Sequence, residues 1–489
     1  MIRGRPVRAF RWWIGGVCGA GLALRLFYGL VVRAGAPLLG DALYYHKQAI
    51  WNLRGRWFVD PIIIEARHHP AALVPSAQHP PLFTLVLTLG DVLGLRSTTS
   101  QVVLNCLIGT ATIAVTALVA RDLAGERSGV IAAVVAALYP GFWVFDGEVM
   151  SEALVMLLAA LTILAAVRCF RDCTRGRVAL LGLLTGLCAL TRTELVLLVP
   201  LVGIPTVLWQ HRMAWRRRIV LSFLVVGVAA ATMAPWVARN LTTFHHPVWL
   251  SDQLPATLAS ANNPPTYYGP LTASWCINCL DDTTFPRGDD ESDEGVVWDA
   301  QAKAYIEAHK GRAVVVAVDR VGLVWGVYAP VRQANQDFLE GWPTPVSFAW
   351  MYWYYPLAVL GVAGAVILRR RREPIYPLVA QVVVVTVASF VTYGNYRFRA
   401  EAEVAIVIGA AVALDALWRA LEGRRGVDGS EPGPETETEP GPEPGPDTEA
   451  DTDTDTDTDT DADAEPVVVG VAGDRVPAAG VPAGVGASS

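Results

Sequence analysis

An all-α polytopic membrane protein with about ten transmembrane helices is the fold class this sequence predicts, and three observations predict it. Of the 489 residues, 53% are hydrophobic, and the mean hydropathy is +0.36, well beyond ordinary globular composition. The apolar residues fall in blocks of roughly 20, the length that crosses the hydrocarbon core as a helix. Arginines gather between alternate blocks, as the cytoplasmic flanks of such helices do.

The first block covers residues 12–32, preceded by Arg3, Arg5, Arg8 and Arg11. A cleaved signal peptide shares that basic start, but this run is long and interrupted by Arg25, so an uncleaved helix is expected. Arg25 itself is either a snorkelling arginine or a candidate functional charge. Next come 99–120, followed by Arg121 and Arg127, then 128–145 and 150–168, followed by Arg168, Arg171, Arg175 and Arg177. Blocks 178–191 and 193–210 end at Arg212, Arg216, Arg217 and Arg218, and 218–236 follows. The last three are 346–368, flanked by Arg369 to Arg372, then 375–393, then 401–419, flanked by Arg419, Arg424 and Arg425. With ten spans every arginine group lies on one side, taken as the cytoplasm together with both termini, at a plasma membrane. The apolar stretch 81–95 tests the count, since an eleventh span there would turn all later arginine groups outward. It is therefore expected as a short helix in the interface or against the bundle.

Four regions follow: residues 1–240 with a first external loop at 32–98, a second large external loop at 241–345, C-terminal helices at 346–420, and a tail at 421–489. The tail holds 18 acids and 3 arginines, whereas the remainder carries 36 basic and 28 acidic residues. Its Glu-Pro-Gly-Pro units and the Asp-Thr run from Asp451 to Thr460 offer nothing apolar to bury, so disorder is expected. Three lysines against 36 arginines is a composition typical of a GC-rich bacterial genome. Cys276 and Cys279 form a Cys-x-x-Cys in the second external loop, where a disulfide is expected; zinc would need two further ligands that stand at no finger-like spacing. Phosphate-binding glycine loops, dinucleotide fingerprints and nucleic-acid signatures are not apparent.

The polar residues outside the arginine clusters gather at the opposite, extracytoplasmic mouth. The first loop opens Gly40-Asp41-Ala42-Leu43-Tyr44-Tyr45-His46-Lys47, with Asp41 a candidate helix N-cap, and continues to His79-Pro80-Pro81-Leu82. Later loops supply Glu148, Ser151 and Glu152, then Thr191-Arg192-Thr193-Glu194, Arg239, and Arg397-Phe398-Arg399. Taken singly, Asp41 caps a helix, Glu152 meets a helix N-terminus and Arg192 pairs with Glu194. Taken together, Arg192, Arg239, Arg397 and Arg399 oppose the positive-inside bias, which points to an anionic ligand on the outer side. A carboxylate that accepts a proton from an attacking hydroxyl, facing cations that stabilise a departing phosphate, suits glycosyl transfer from a lipid-phosphate sugar.

These segments, in this order, resemble the GT-C glycosyltransferases, and within them the family 39 branch related to protein O-mannosyltransferases and the bacterial aminoarabinose transferase. The resemblance covers roughly residues 10–420. It implies the GT-C fold with juxtamembrane helices in the first external loop, inverting transfer from a polyprenyl-phosphate sugar, and a first-loop catalytic acid at Asp41. The acid of the fourth span falls on Glu148 or Glu152. His79, Arg192, Arg239, Arg397 and Arg399 are the candidates for the donor phosphate, and Tyr44, Tyr45, Lys47 and Glu194 for substrate. Protein mannosyltransferases carry Asp-Glu where this chain has Asp41-Ala42, which leaves glycan, lipid and protein all open as acceptor. A divalent metal between the donor phosphate and Asp41 or Glu148 is compatible with these groups, though no spacing demands one. The competing class is a polytopic transporter or lipid flippase, which would show two pseudo-repeated halves and helices broken near the midplane; neither is apparent.

Overall fold

The computed structural model describes residues 6–62, 74–280 and 290–428. Arg3, Arg5 and almost all of the acidic tail lie outside them. Among the described residues the chain is helical throughout, with one isolated bridge between Val59 and Pro75 and no strand. The helices are α1 (Pro6–Phe27), α2 (Gly40–Leu53), α3 (Leu82–Val92), α4 (Thr98–Ala124), α5 (Glu126–Leu138), α6 (Glu152–Arg171), α7 (Arg175–Ala189), α8 (Ile204–Leu208) and α9 (Trp215–Thr243). They continue as α10 (Gln253–Ala261), α11 (Pro264–Tyr268), α12 (Glu291–Ala308), α13 (Lys310–Val324), α14 (Pro330–Gln336), α15 (Thr344–Arg370), α16 (Tyr376–Val391) and α17 (Ala400–Asp428). The protein is an all-α polytopic membrane protein.

Among the described residues six stretches are long and apolar enough to cross a bilayer: Ala9–Val32, Thr98–Ala124, Glu152–Arg171, Trp215–Thr243, Thr344–Arg370 and Tyr396–Glu422. Of the other four expected spans, 178–191 is a helix of about the anticipated length and the remaining three are shorter, two of them for reasons of local chemistry. Block 128–145 is helical only to Leu138, because Pro140 turns Tyr139 out of the helical region and the chain proceeds in 3-10 turns. Block 193–210 is a 3-10 turn at Thr193–Leu197, a wide π turn at Val199–Gly203 and the five residues of α8, with Pro200 and Pro205 each withholding a backbone N–H. Helices α7 and α16 have 15 and 16 residues. The stretch 81–95 is the 11-residue α3, about 16 Å long, and does not span.

Boundaries follow from sequence. Ser97 and Ser100 make a capping box that starts α4, and Gly125 at φ 104° ends it, which lets α5 turn back against it. The tightest packing joins α15 to α17. A Cβ on Gly364 would lie 1.8 Å from the Gly409 carbonyl oxygen, and one on Gly409 would lie 2.5 Å from that of Gly361. Small residues let these two backbones touch, which is how membrane helices associate where lipid is as apolar as leucine.

Arg25 neither snorkels nor reaches the mouth. It is fully buried, with Nε 2.7 Å from the Asp146 carboxylate and one guanidinium nitrogen 3.1 Å from the Phe142 carbonyl. Gly109 leaves the room for Asp146, since a Cβ there would fall 2.1 Å from its Oδ2. Burial raises the Asp146 carboxyl to about 7 despite Arg25. The pair ties α1 to the turns that follow α5.

Candidate active site

The helix ends that carry the mouth residues meet at one end of the bundle. Asp41 sits in the first turn of α2, Glu152 begins α6, Arg192 follows α7, and Arg397 lies in the 3-10 turn Tyr396–Arg399 before α17. The opposite end of α6 carries Arg168 and Arg171, which bond Asp122 and, from Arg171, Glu373. The two ends are thus chemically distinct, one an arginine-rich belt and the other a closed set of acids and arginines.

Arg397 is the hub. Its Nη2 donates to Asp41 Oδ2 at 2.6 Å, its Nε to Glu152 Oε1, and its Nη1 lies 3.6 Å from Glu340 Oε2. Asn395 positions the turn by accepting the Arg397 backbone N–H at 2.9 Å and donating to Glu340 at 2.8 Å. Glu152 is wholly buried and also accepts from Arg192 at 3.0 Å, while Arg192 Nε donates to Glu194 at 2.7 Å. Glu152 therefore touches neither open space nor Asp41; it fixes two guanidinium groups in place. His79 Nε2 lies 3.4 Å from the second oxygen of Asp41, and Tyr45 packs against its ring.

Asp41 does not cap its helix, because Leu39 occupies the cap position and makes no side-chain bond; the Asp41 carboxylate turns instead to Arg397 and His79. Burial alone would raise this carboxyl, but the Arg397 guanidinium and the His79 imidazole outweigh it and hold the group well below the usual carboxylate range. Its side chain keeps 20% exposure, so one edge remains open.

Two cavities meet at this pair. One of about 350 Å³ is lined by the polar Asp41, His79, Arg192, Glu194 and Arg397 and by the apolar Val196, Leu197, Val387, Val391 and Phe398 among others. The other, about 540 Å³, is lined by Asp41, Tyr44, Glu148, Asp252, Glu291, Glu340, Trp275 and Arg397. Asp41, Tyr393 and Arg397 face both. Glu148 accepts instead from Arg33, whose Nη2 lies 2.5 Å from its Oε1, and burial raises its carboxyl to about 7. Burial likewise raises Glu340, against the pull of Arg397.

Three of the anticipated residues, Arg399, Arg239 and Lys47, stand apart from this centre. Arg399 is fully buried, bonded to Glu403 at 3.1 Å and stacked on Tyr354, Tyr396 and Trp350, and lines neither cavity. Arg239 donates to the carbonyls of Phe58 and Ser76 at 3.0 and 3.1 Å and lies over Trp236, and so clamps the first loop onto α9. Lys47 lines neither cavity. Cys276 and Cys279 are disulfide-bonded beside the second cavity, where Ile277 between them is part of the wall. Glu340, Arg33 and Tyr393 were not singled out in the sequence. Glu340 does carry a signal, an acid just ahead of the apolar block 346–368 on the arginine-poor side, but it lies at the far end of the loop 241–345. At the mouth, no three carboxylates or imidazoles converge within ligand distance among the described residues.

Residues 78–238 match the family model described as dolichyl-phosphate-mannose-protein mannosyltransferase, a segment that contains His79, Glu148, Glu152, Arg192 and Glu194. No curated protein matches the chain. Among solved structures, the oligosaccharyltransferase of Archaeoglobus fulgidus in the apo form is 15% identical with a TM-score of 0.48, over 85% of this chain and 52% of that one. The same enzyme tethered with an acceptor peptide containing the NVT sequon gives 16% and 0.49, over 85% and 51%. ArnT from Cupriavidus metallidurans bound to undecaprenyl phosphate gives 17% and 0.37, over 83% and 78%. The chain spans about half the length of the oligosaccharyltransferase. Over residues 78–238 the chain is similar to that mannosyltransferase family.

Proposed function

From that similarity and from the geometry of the mouth, we propose that the chain is a membrane glycosyltransferase that moves a sugar from a polyprenyl-phosphate donor to an acceptor at the extracytoplasmic face, with inversion. The observation that carries this reading is that Asp41 and Arg397 line both cavities at once. The smaller cavity, lined by both charged and apolar side chains, suits a phosphate joined to a prenyl chain, with Arg192, Arg397 and His79 as its polar contacts. Its guanidinium groups already face Glu152 and Glu194, so little net positive charge is left over, which favours a singly charged phosphodiester over a diphosphate. The larger cavity admits the acceptor.

In the step so arranged, an acceptor hydroxyl gives its proton to the Asp41 carboxylate as its oxygen bonds to the anomeric carbon. The bond from that carbon to the phosphate oxygen breaks, and its electron pair leaves on the phosphate beside Arg397 and Arg192. One displacement inverts the anomeric centre. In the resting site Arg397 makes Asp41 a weak base. A donor phosphate that draws Arg397 toward itself relieves that hold and raises the basicity of Asp41 when, and only when, the leaving group is bound.

The test is transfer from a panel of polyprenyl-phosphate sugars by the purified full chain in lipid nanodiscs. Sugar transfer that depends on Asp41 supports the proposal. Vectorial substrate movement in liposomes with no transfer from any donor would replace it with the transporter reading.

A further inference from the structure

Far from Asp41 in sequence, the outer end of α9 and the start of α12 bring four metal-ligating side chains together. His245 and His246 follow α9; Asp290 caps α12 and Asp293 lies in its first turn. His245 Nδ1 is 2.8 Å from Asp293 Oδ2 and 3.6 Å from Asp290 Oδ2, and His246 Nε2 is 3.3 Å from Asp293 Oδ1. The ligand atoms of His245, Asp290 and Asp293 all lie within 4.8 Å of one another. In a tetrahedral zinc site with ligand bonds of about 2.0–2.1 Å, neighbouring donor atoms sit roughly 3.3 Å apart, and the 2.8, 3.3 and 3.6 Å separations lie around that spacing.

The plainer account is a hydrogen-bonded clamp, and part of the cluster does serve one. Asp290 Oδ1 takes the Ser292 backbone N–H at 2.8 Å, and Asp293 Oδ2 takes that of Asp290 at 2.9 Å. Those bonds cap the helix without either imidazole. Two histidines from a segment more than 40 residues away, one on each oxygen of Asp293, are more than a cap requires. The backbone N–H groups on the carboxylates are also the outer contacts that orient ligating oxygens.

We propose that His245, Asp290 and Asp293, with His246 in support, form a binding site for a borderline divalent cation of the zinc class. An imidazole and carboxylate donor set without thiolate suits that class, and both histidines are more than half exposed, so a cation can enter. Its place in the fold gives it a structural role. Glu291, next to Asp290, accepts the Ala77 backbone N–H at 2.8 Å, two residues from His79, so a cation that pins the start of α12 also steadies the wall of the acceptor cavity. This inference concerns metal binding and stands whether or not the chain transfers sugar.

The experiment loads the chelator-stripped full chain with zinc, then measures bound metal after dialysis and the unfolding midpoint against zinc concentration. One equivalent of tightly held zinc and a Tm that climbs with zinc are expected, because a ligand that binds only the folded state stabilises it by mass action. The exposed His245→Ala should lose that equivalent and the Tm response while folding as wild type does, and Asp293→Asn should do the same. Cys169→Ser with Cys173→Ser, which removes the neighbouring thiol pair at the other end of the bundle, should keep both. Absence of tight binding to the wild type, or zinc retained in full by His245→Ala, would overturn the proposal.

Discussion

Replacing Asp41 with Asn keeps the shape of the side chain and removes its charge, and the structure sets what should be lost. Arg397 retains Glu152 and Glu340, so the fold is expected to lose no more than about 1 kcal/mol, the scale of one partly exposed ion pair. Transfer should fall about 10²- to 10⁴-fold, the usual worth of a general base, or roughly 2.7–5.4 kcal/mol of barrier. The assay is release of labelled glycoside from a polyprenyl-phosphate sugar by purified chain in nanodiscs, with Tm measured on the same samples. The pH profile adds a second constraint. Because the Asp41 carboxyl is held low, the wild-type base stays ionised on mild acidification, and kcat/KM should be flat from pH 7 down to about 5. The sign for stability is the same: the contribution of a lowered carboxyl is fully present above its unfolded value near 3.9 and is lost only as pH falls through the lower folded value. A variant Asp41→Asn that transfers sugar within about threefold of wild type, at unchanged Tm, would refute the assignment of Asp41 as the base.

Other consequences are open to test. Arg397→Lys cannot span Asp41, Glu152 and Glu340 with a planar fork, and a donor KM raised about tenfold is expected in the same assay; Arg397→Ala should also destabilise by about 3–5 kcal/mol, because it leaves Glu152 buried beside fewer cations. Arg25→Ala strands Asp146 in the core and should cost about 3–5 kcal/mol, read as a drop in Tm, with the double variant Arg25→Ala, Asp146→Ala recovering part of it. Gly364→Ala forces α15 from α17 and should cost about 1–3 kcal/mol; an unchanged Tm would mean that the helices do not pack through Gly409.

Much of the mouth was legible because charge is expensive beside a bilayer, so acids and arginines away from the arginine belt stand out one at a time. Asp41, His79, Arg192, Glu194 and Arg397 surfaced this way, and they do line one cavity. Burial and partner choice were not legible. Arg397 and Arg399 are two residues apart and look equivalent as letters, yet in the 3-10 turn one faces the open site and the other is sunk among Tyr354, Tyr396 and Trp350 against Glu403. Glu148 and Glu152 diverge in the same way, the first toward the larger cavity and the second beneath the two arginines.

The sequence by itself determined that this chain is an all-α membrane protein, which end of its bundle carries the arginine belt, and which loops carry the acids and arginines of the other end, because hydropathy and charge are properties of individual residues and their spacing. Only the tertiary structure decided that one guanidinium gathers Asp41, Glu152 and Glu340, that Arg25 belongs to Asp146, and that two cavities share one carboxylate. Those facts depend on contacts between residues 57 to 356 positions apart, and no local pattern encodes where such distant segments meet.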